Sequence, residues 1–285
     1  MTERSMRPVQ GAALLALSAL LFSGMGVLVR EASATVNNEN IVFFRNIVGV
    51  FFFLPLLLSK GLRPFKTKRL KSHLLRTTYG LAAMYCFFYA IAHLPLADAM
   101  VFTYSAPVLT PIIAYFWLKE PLTKRMLAFS VLGLLGVILV AKPSDAIFGS
   151  LSLVGLAASL LAASAFVSIR EMSNTEPAYR MVFYFALFSS LISAIPLLWA
   201  WQPLNQQQLI LLCAAGLLAA LAQIIMSRAY SLAPPGLIGP VAYLAIVFAG
   251  VFSFFLWDEV PDVASILGAV LIFTASTLAV LWRKH

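Results

Sequence analysis

The sequence predicts an all-α integral membrane protein whose ten transmembrane helices form two inverted five-helix repeats. Three observations support this fold class: an apolar composition, apolar segments of membrane-spanning length along nearly the whole chain, and a similarity between the two halves. The composition indicates that the solvent is lipid. The apolar segments give the number of helices, and the similarity of the halves gives their arrangement.

The composition excludes a water-soluble globular domain. Of the 285 residues, 61% are hydrophobic and 11% are charged, and the mean hydropathy is +0.92. A soluble domain carries about 25% charged residues, and a chain of this length could not bury so much apolar surface in water. The solvent around most of the chain must therefore be lipid.

Ten apolar segments have the length of a membrane span. A spanning helix needs roughly 20 mainly apolar residues, because the hydrocarbon layer is about 30 Å thick and a helix rises about 1.5 Å per residue. The predicted spans are Gly11 to Val29, Ile41 to Ser59, Leu74 to Ala92, Ala97 to Trp117, Met126 to Ala141, Leu151 to Ile169, Met181 to Ala200, Leu209 to Ser227, Leu237 to Trp257 and Val263 to Trp282.

The distribution of basic residues predicts the orientation. The net charge of +9 does not indicate nucleic-acid binding, because the basic residues lie in short loops rather than on one folded face. With the N-terminus in the cytoplasm, most of them, Arg76 included, are assigned to the cytoplasmic side, and only Arg30, Arg45 and Lys142 remain outside. This satisfies the positive-inside rule, so we expect a bacterial inner-membrane protein with both termini in the cytoplasm.

The two halves of the chain resemble each other in sequence. The segment VLVREAS (Val27–Ser33) aligns with VSIREMS (Val167–Ser173), and AIAHLPLADAMVFTYSAPV (Ala90–Val108) aligns with AYSLAPPGLIGPVAYLAIV (Ala229–Val247). The second alignment superimposes Ala90 on Ala229, Pro95 on Pro234, Tyr104 on Tyr243, Phe116 on Phe255 and Glu120 on Glu259. We therefore divide the chain into repeats at residues 1–143 and 144–285.

An odd number of spans per repeat makes the second repeat inverted. Inverted repeats provide two mirror-related conformations and a site between the halves near the bilayer midplane. This arrangement favours a carrier that works by alternating access. It requires one chain only, so a monomer is sufficient, although the sequence does not indicate the oligomeric state.

Several motifs resemble those of a known family. FFRN (Phe43–Asn46), the bridge AIAHLPLADA, and WLKEPLTKRMLAFSVLGLLGVILV (Trp117–Val140), echoed by LWDEVPDVASILGAVLIF, are similar to the EamA-type drug/metabolite transporters. The resemblance covers nearly the whole chain, and the bridge is most similar to the subgroup described as S-adenosylmethionine or riboflavin uptake proteins. It implies transport of a small metabolite, more often outward than inward.

Tyr104 and Tyr243 are the first candidates for substrate contact. The two phenols are related by the repeat and lie roughly 10 Å from opposite surfaces, close to the midplane. They could stack on a substrate while donating hydrogen bonds. The alternative is that both are core tyrosines at helix contacts.

A second group of candidates comes from the third, eighth and first spans. Tyr85 and Tyr89 lie four residues apart and share a helical face, as do Gln223 and Ser227, while Ser23 is a small polar residue on the first span. Packing against lipid competes for Tyr89, and interhelical hydrogen bonding or close packing competes for Gln223, Ser227 and Ser23.

Other residues are predicted to act as gates or structural elements. Arg45 lies one turn into the second span, where it could snorkel to the outer headgroups. Prolines remove backbone donors and kink helices, which indicates that the fourth and ninth spans line a cavity and move. The full set is Arg45, Pro107, Pro111, Pro240, Glu120 and Glu259, the two glutamates matching the family's glutamate after the fourth and ninth spans.

The predicted function is secondary transport of an amino acid, an amino-acid derivative or a nucleoside-like or vitamin-like compound, with export favoured over uptake. An integral-membrane enzyme acting on a lipid-linked substrate is the alternative, but the three histidines are scattered and form no catalytic pattern. No cofactor or metal is expected, and the partners are the substrate and membrane lipid. Few charges within the spans suit a neutral or zwitterionic substrate, and an organic cation also fits.

Overall fold

The computed structural model describes residues 7–93, 96–144 and 152–281, and every regular element within these ranges is helical. The Leu94–Pro95 bridge and the end of the predicted last span lie outside the described residues. The helices are α1 (Pro8–Ser33), α2 (Asn38–Phe51), α3 (Leu54–Lys60), α4 (Leu70–His93), α5 (Leu96–Thr103), α6 (Ala106–Leu118), α7 (Lys124–Ala141), α8 (Ser152–Met172), α9 (Ala178–Ser193), α10 (Leu197–Ala200), α11 (Gln206–Leu232), α12 (Pro235–Ile238), α13 (Leu244–Trp257) and α14 (Val263–Leu281), with 3₁₀ turns at Arg63–Phe65 and Gly239–Tyr243.

Polar residues in the short loops start several helices. The Asn37 side chain accepts a hydrogen bond from the backbone N–H of Asn40, which caps α2. Asn205 and Gln208 form a reciprocal capping box at the start of α11. These side chains satisfy backbone donors that the first turn of a helix leaves free, so the loop residues define where the apolar helices begin.

Eight stretches of the described residues are long and apolar enough to cross a membrane. Five are the single helices α1, α7, α8, α11 and α14, and three are the interrupted stretches 38–60, 100–118 and 235–257. The predicted third and seventh spans do not meet this criterion. In the third, α4 carries Lys71, His73 and Arg76 in its first turns. In the seventh, α9 has only 16 residues.

The predicted fourth and ninth spans are broken near their middle. A turn at Tyr104 and Ser105 separates α5 from α6, and a 3₁₀ turn at Gly239–Tyr243 separates α12 from α13. Pro107 is in the first turn of α6, where its missing N–H leaves no carbonyl unpaired, whereas Pro111 lies inside α6. Pro107 and Pro240 therefore lie at the breaks of the fourth and ninth spans, and Pro111 does not.

Long helices from the two halves of the chain pack against each other. The principal partners are α1 with α11, α4 with α8, α7 with α14, and α2 with α9. Between α7 and α14, a Cβ atom added to Gly136 would lie 2.6 Å from the Gly268 carbonyl oxygen. Glycine is needed there because the two backbones approach closely, as is common for helices that associate within lipid.

Candidate substrate site

The site begins with a buried cation on α4. The Arg76 side chain is 3% exposed. Arg76 lies about 9 Å along the axis of α4 from Leu70, the first residue of that helix. Its Nη2 donates a hydrogen bond of 2.9 Å to Oε1 of Gln223 on α11. The guanidinium carbon lies 3.9 Å from the centre of the Phe185 ring on α9. An amide and an aromatic face, rather than a carboxylate, therefore hold this charge.

A glycine makes room for the guanidinium. A Cβ atom added to Gly80, one turn after Arg76, would lie 2.8 Å from Nη1 of Arg76 and 3.0 Å from Cε2 of Phe185. Nη1 is itself buried and has no hydrogen-bond partner among the described residues. One N–H group of the guanidinium is therefore bonded to Gln223, while Nη1, beside Gly80, has no acceptor among the described residues.

A second arginine lies nearby on α2. Nη1 of Arg45 donates to Sδ of Met84 at 3.0 Å, and its Nε is buried without a partner in the described part of the chain. Met84 is on α4, two turns after Arg76, so both arginines contact this helix. Sulfur is a weak acceptor, so this arginine also retains unused hydrogen-bonding capacity.

The charge of the two arginines is uncompensated. Within residues 7–93, 96–144 and 152–281, no carboxylate forms an ion pair with Arg45 or Arg76. A buried charge without a counter-ion is strongly unfavourable, and ionisable groups at membrane depth mark functional sites. We therefore centre the candidate site on Arg45, Arg76 and Gln223.

Arg76 is not among the site residues that the sequence predicts, although its position inside the predicted third span is a signal for a site residue. Arg45 could snorkel to the outer headgroups, anchor the helix, act as a gate or contact substrate, and its guanidinium contacts Met84. Its role as a gate stays a prediction.

The other predicted residues of α4 and α11 differ in their surroundings. Ser227, one turn from Gln223, is fully buried, and its Oγ has no partner among the described residues. Tyr85 is half-buried. Tyr89 is 48% exposed, and its ring stacks on His93 with the ring centres 4.1 Å apart. Ser227 and Tyr85 are therefore more enclosed by neighbouring helices than Tyr89.

The two repeat-related tyrosines lie in an apolar cluster. Tyr243 is fully buried, its hydroxyl donates to the Ser130 carbonyl at 2.9 Å, and its ring occupies the space over Gly133. Tyr104 packs at the edge of the same cluster, at the break between α5 and α6. The surroundings of Tyr243 match the alternative in which it is a packing residue, because its hydroxyl already has a partner.

Ser23 and the prolines connect helices. Oγ of Ser23 donates to the Ala245 carbonyl on α13 at 2.7 Å. Pro240 carries a carbonyl that accepts from Ser276 at 3.1 Å. Pro111 packs closely on Gly236, where an added Cβ atom would lie 2.8 Å away, and Pro107 faces Gly239. The broken helices therefore cross at these small residues.

Glu120 and Glu259 each form an ion pair with an arginine from the other half of the chain. Nε of Arg170 donates to Glu120 at 2.9 Å, with both side chains less than 20% exposed. Nη2 of Arg30 donates to Glu259 at 2.7 Å, with both side chains about half exposed. The Arg30 hydrogen bond holds the pKa of the Glu259 carboxyl below its usual range. Both glutamates therefore connect helix ends.

A buried carboxylate between α8 and α9 was not anticipated. Glu176 is 5% exposed and accepts hydrogen bonds from Thr67 at 2.7 Å and Arg180 at 2.8 Å, with His73 at 3.7 Å. It lies outside the apolar segments, where hydropathy gives no signal. A cavity of about 490 Å³ is lined by residues 173–179 and by Ile224, Arg228 and Ser231 of α11. Ile224 follows Gln223 in the chain, so the cavity extends to the part of α11 that carries Gln223.

Two kinds of comparison place this geometry among known proteins. The family described as the EamA-like transporter family matches residues 9–142 and, a second time, residues 149–281. One solved structure, described as the crystal structure of a protein, has a TM-score of 0.82, is 18% identical, and is matched over 96% of this chain and 97% of its own. At that identity, the likeness shows the fold alone.

The curated relatives include an exporter and an uptake transporter. The chain is 34% identical to the pseudopaline exporter CntI of Pseudomonas aeruginosa (strain UCBPP-PA14), over 93% of this chain and 94% of the relative. It is 25% identical to the S-adenosylmethionine uptake transporter of Rickettsia felis, over 94% of this chain and 91% of the relative. It is 30% identical to solute carrier family 35 member G1 of Mus musculus, over 94% of this chain and 77% of the relative.

Proposed function

Because the chain belongs to the EamA-like transporter family, it is a transporter of small metabolites rather than an enzyme, and we propose that it works by alternating access between two inverted five-helix repeats. The observation that carries this proposal is the uncompensated arginine pair, which lies among helices α2, α4, α9 and α11 from both halves of the chain. A static scaffold has no use for so unfavourable a group.

The packing of the helices supports the inverted repeat. Helix α1 packs on α11 and α13, and α8 packs on α4 and α6, so each first helix of a repeat contacts the third and fourth helices of the other. In the sequence register, Arg30 corresponds to Arg170 and Glu259 to Glu120, and these residues form the two ion pairs. Both observations fit repeats at residues 1–143 and 144–285.

The same register supports a site between the repeats. Superimposing Ala90 on Ala229 also superimposes Met84 on Gln223, and each of these two residues accepts a hydrogen bond from one of the arginines. We propose Arg45, Arg76, Gln223, Ser227 and Tyr85 as the centre of the substrate site. Tyr104 is a peripheral contact, and Tyr243, Ser23 and the prolines maintain the crossing of the broken helices.

Export is the direction that we propose, with an amino acid or amino-acid derivative as substrate. The relatives include both an exporter and an uptake transporter, so the direction has to be measured. A single chain within bacterial inner-membrane lipid is sufficient for this mechanism, because every site residue comes from one chain.

Counterflow in proteoliposomes tests the proposal. Vesicles loaded in turn with unlabelled amino acids, nucleosides, S-adenosylmethionine or riboflavin should accumulate the matching radiolabelled compound, and uptake should saturate. Arg63→Gln is the matched control, because Arg63 is exposed in the loop after α3 and should not affect flux. Flux that is linear in concentration and without counterflow would indicate a channel and contradict alternating access.

The proposed orientation places both termini in the cytoplasm. Fluorescent-protein fusions after Lys71 and at the C-terminus should be fluorescent, and alkaline phosphatase fused at either point should be inactive, because phosphatase folds only outside the cytoplasm. A phosphatase fusion after Gln202, between α10 and α11, should be active. Phosphatase activity of the fusion after Lys71 or of the fusion at the C-terminus would overturn the count of ten spans.

A further inference from the structure

We propose that the arginine pair binds a carboxylate of the transported substrate, so that the substrate is an organic acid or an amino acid recognised through its carboxylate. This inference rests on the proposed function, because it assigns the substrate class of the same site. The observation behind it is that Nη1 of Arg76 and Nε of Arg45 are buried donors with no acceptor within residues 7–93, 96–144 and 152–281.

The chemistry of the donors selects the ligand. A guanidinium presents planar, paired N–H groups that match the two oxygens of a carboxylate. Gln223 occupies Nη2 of Arg76 and Phe185 covers the face of the guanidinium, so these neighbours hold the group in position, while Nη1 has no acceptor among the described residues. Two positive charges without a counter-ion would also repel an organic cation, which the sequence analysis had allowed.

Gly80 allows the guanidinium of Arg76 to lie directly against α4, because a Cβ atom at that position would come within 2.8 Å of Nη1. Met84, one turn farther along α4, is the residue that Arg45 contacts. The two unused donors are therefore on the same stretch of the α4 surface, from which a bound carboxylate could interact with both charges.

Small probes test the site without knowledge of the natural substrate. The full-length protein in phosphatidylcholine nanodiscs is heated in sodium acetate, in sodium chloride of equal ionic strength, or in chloride with acetamide. We expect acetate at about 100 mM to raise the apparent unfolding temperature by at least about 2 °C relative to chloride, because a ligand that binds only the folded state stabilises it. Acetamide has the same shape without the charge, and should give no shift.

Gln223→Glu is the decisive variant. It places an internal carboxylate against Arg76, so the protein should remain folded but lose the acetate shift. Asn205→Asp, at the exposed cap of α11, adds a negative charge elsewhere and should retain the shift. An acetate shift that persists in Gln223→Glu, or an equal shift with acetamide, would each overturn the carboxylate assignment.

The two proposals fail in different ways. Saturable counterflow by a protein that shows no acetate shift overturns the carboxylate site and leaves the transport mechanism intact. An acetate shift that is lost in Gln223→Glu, in a protein that gives no counterflow with any compound, supports the anion site and counts against the alternating-access mechanism.

Discussion

Replacing Arg76 and Gln223 together with methionine is expected to abolish transport while leaving the unfolding temperature equal to or above that of the parent protein. The guanidinium is buried without a counter-ion. Replacing buried polar partners by apolar groups of similar volume is often neutral or stabilising. A residue pair whose removal stabilises the fold but eliminates activity is retained for function.

The single variants separate this effect from general damage. Arg76→Met leaves the buried Gln223 amide without its donor, and Gln223→Met leaves a second buried N–H of Arg76 unpaired. Each single variant should therefore be less stable than the double variant by about 1–3 kcal/mol. Thermal unfolding in detergent and counterflow on the same preparations measure both quantities. Full-rate transport by the folded double variant would remove these residues from the site.

Glu120→Gln is expected to lower the yield of folded protein far more than Glu259→Gln. Both changes remove one partner of an ion pair with an arginine from the other half of the chain. Around Glu120 the pair is mostly buried, and a hydrogen bond to a charged group in such a setting contributes about 1.5–3 kcal/mol. Around Glu259 both side chains are about half exposed, where water screens the charges.

Fluorescence-detected size-exclusion chromatography after heating measures this difference. Glu120→Gln should lose its monodisperse peak at a clearly lower temperature, and Arg170→Gln should behave in the same way because it breaks the same pair. Glu259→Gln should follow the parent protein. Equal losses for the two glutamate variants would indicate that burial does not determine the strength of these pairs.

The amino-acid sequence by itself determined the solvent, the helical class, most helix boundaries and the family. These properties are local or compositional: mean hydropathy reflects the transfer of side chains into lipid, and a cap such as Asn205 acts within one turn of its helix. The prolines also predicted that the fourth and ninth spans break, because proline removes a backbone donor. Sequence reasoning placed Gln223 among the candidates as a polar group at membrane depth.

Only the tertiary structure decided which charged groups are buried together. The distribution of charges predicts the side of the membrane on which Arg76 lies, whereas only the packing of α4 against α8 and α9 shows that its guanidinium is enclosed beside Phe185 and Gln223. Tyr243 looked equivalent to Tyr104 in the register, yet its hydroxyl bonds to the Ser130 carbonyl. Glu120 and Arg170 are 50 residues apart and still form an ion pair. Such contacts depend on the relative placement of whole helices, which follows from long-range packing and leaves no periodic or compositional trace in the sequence.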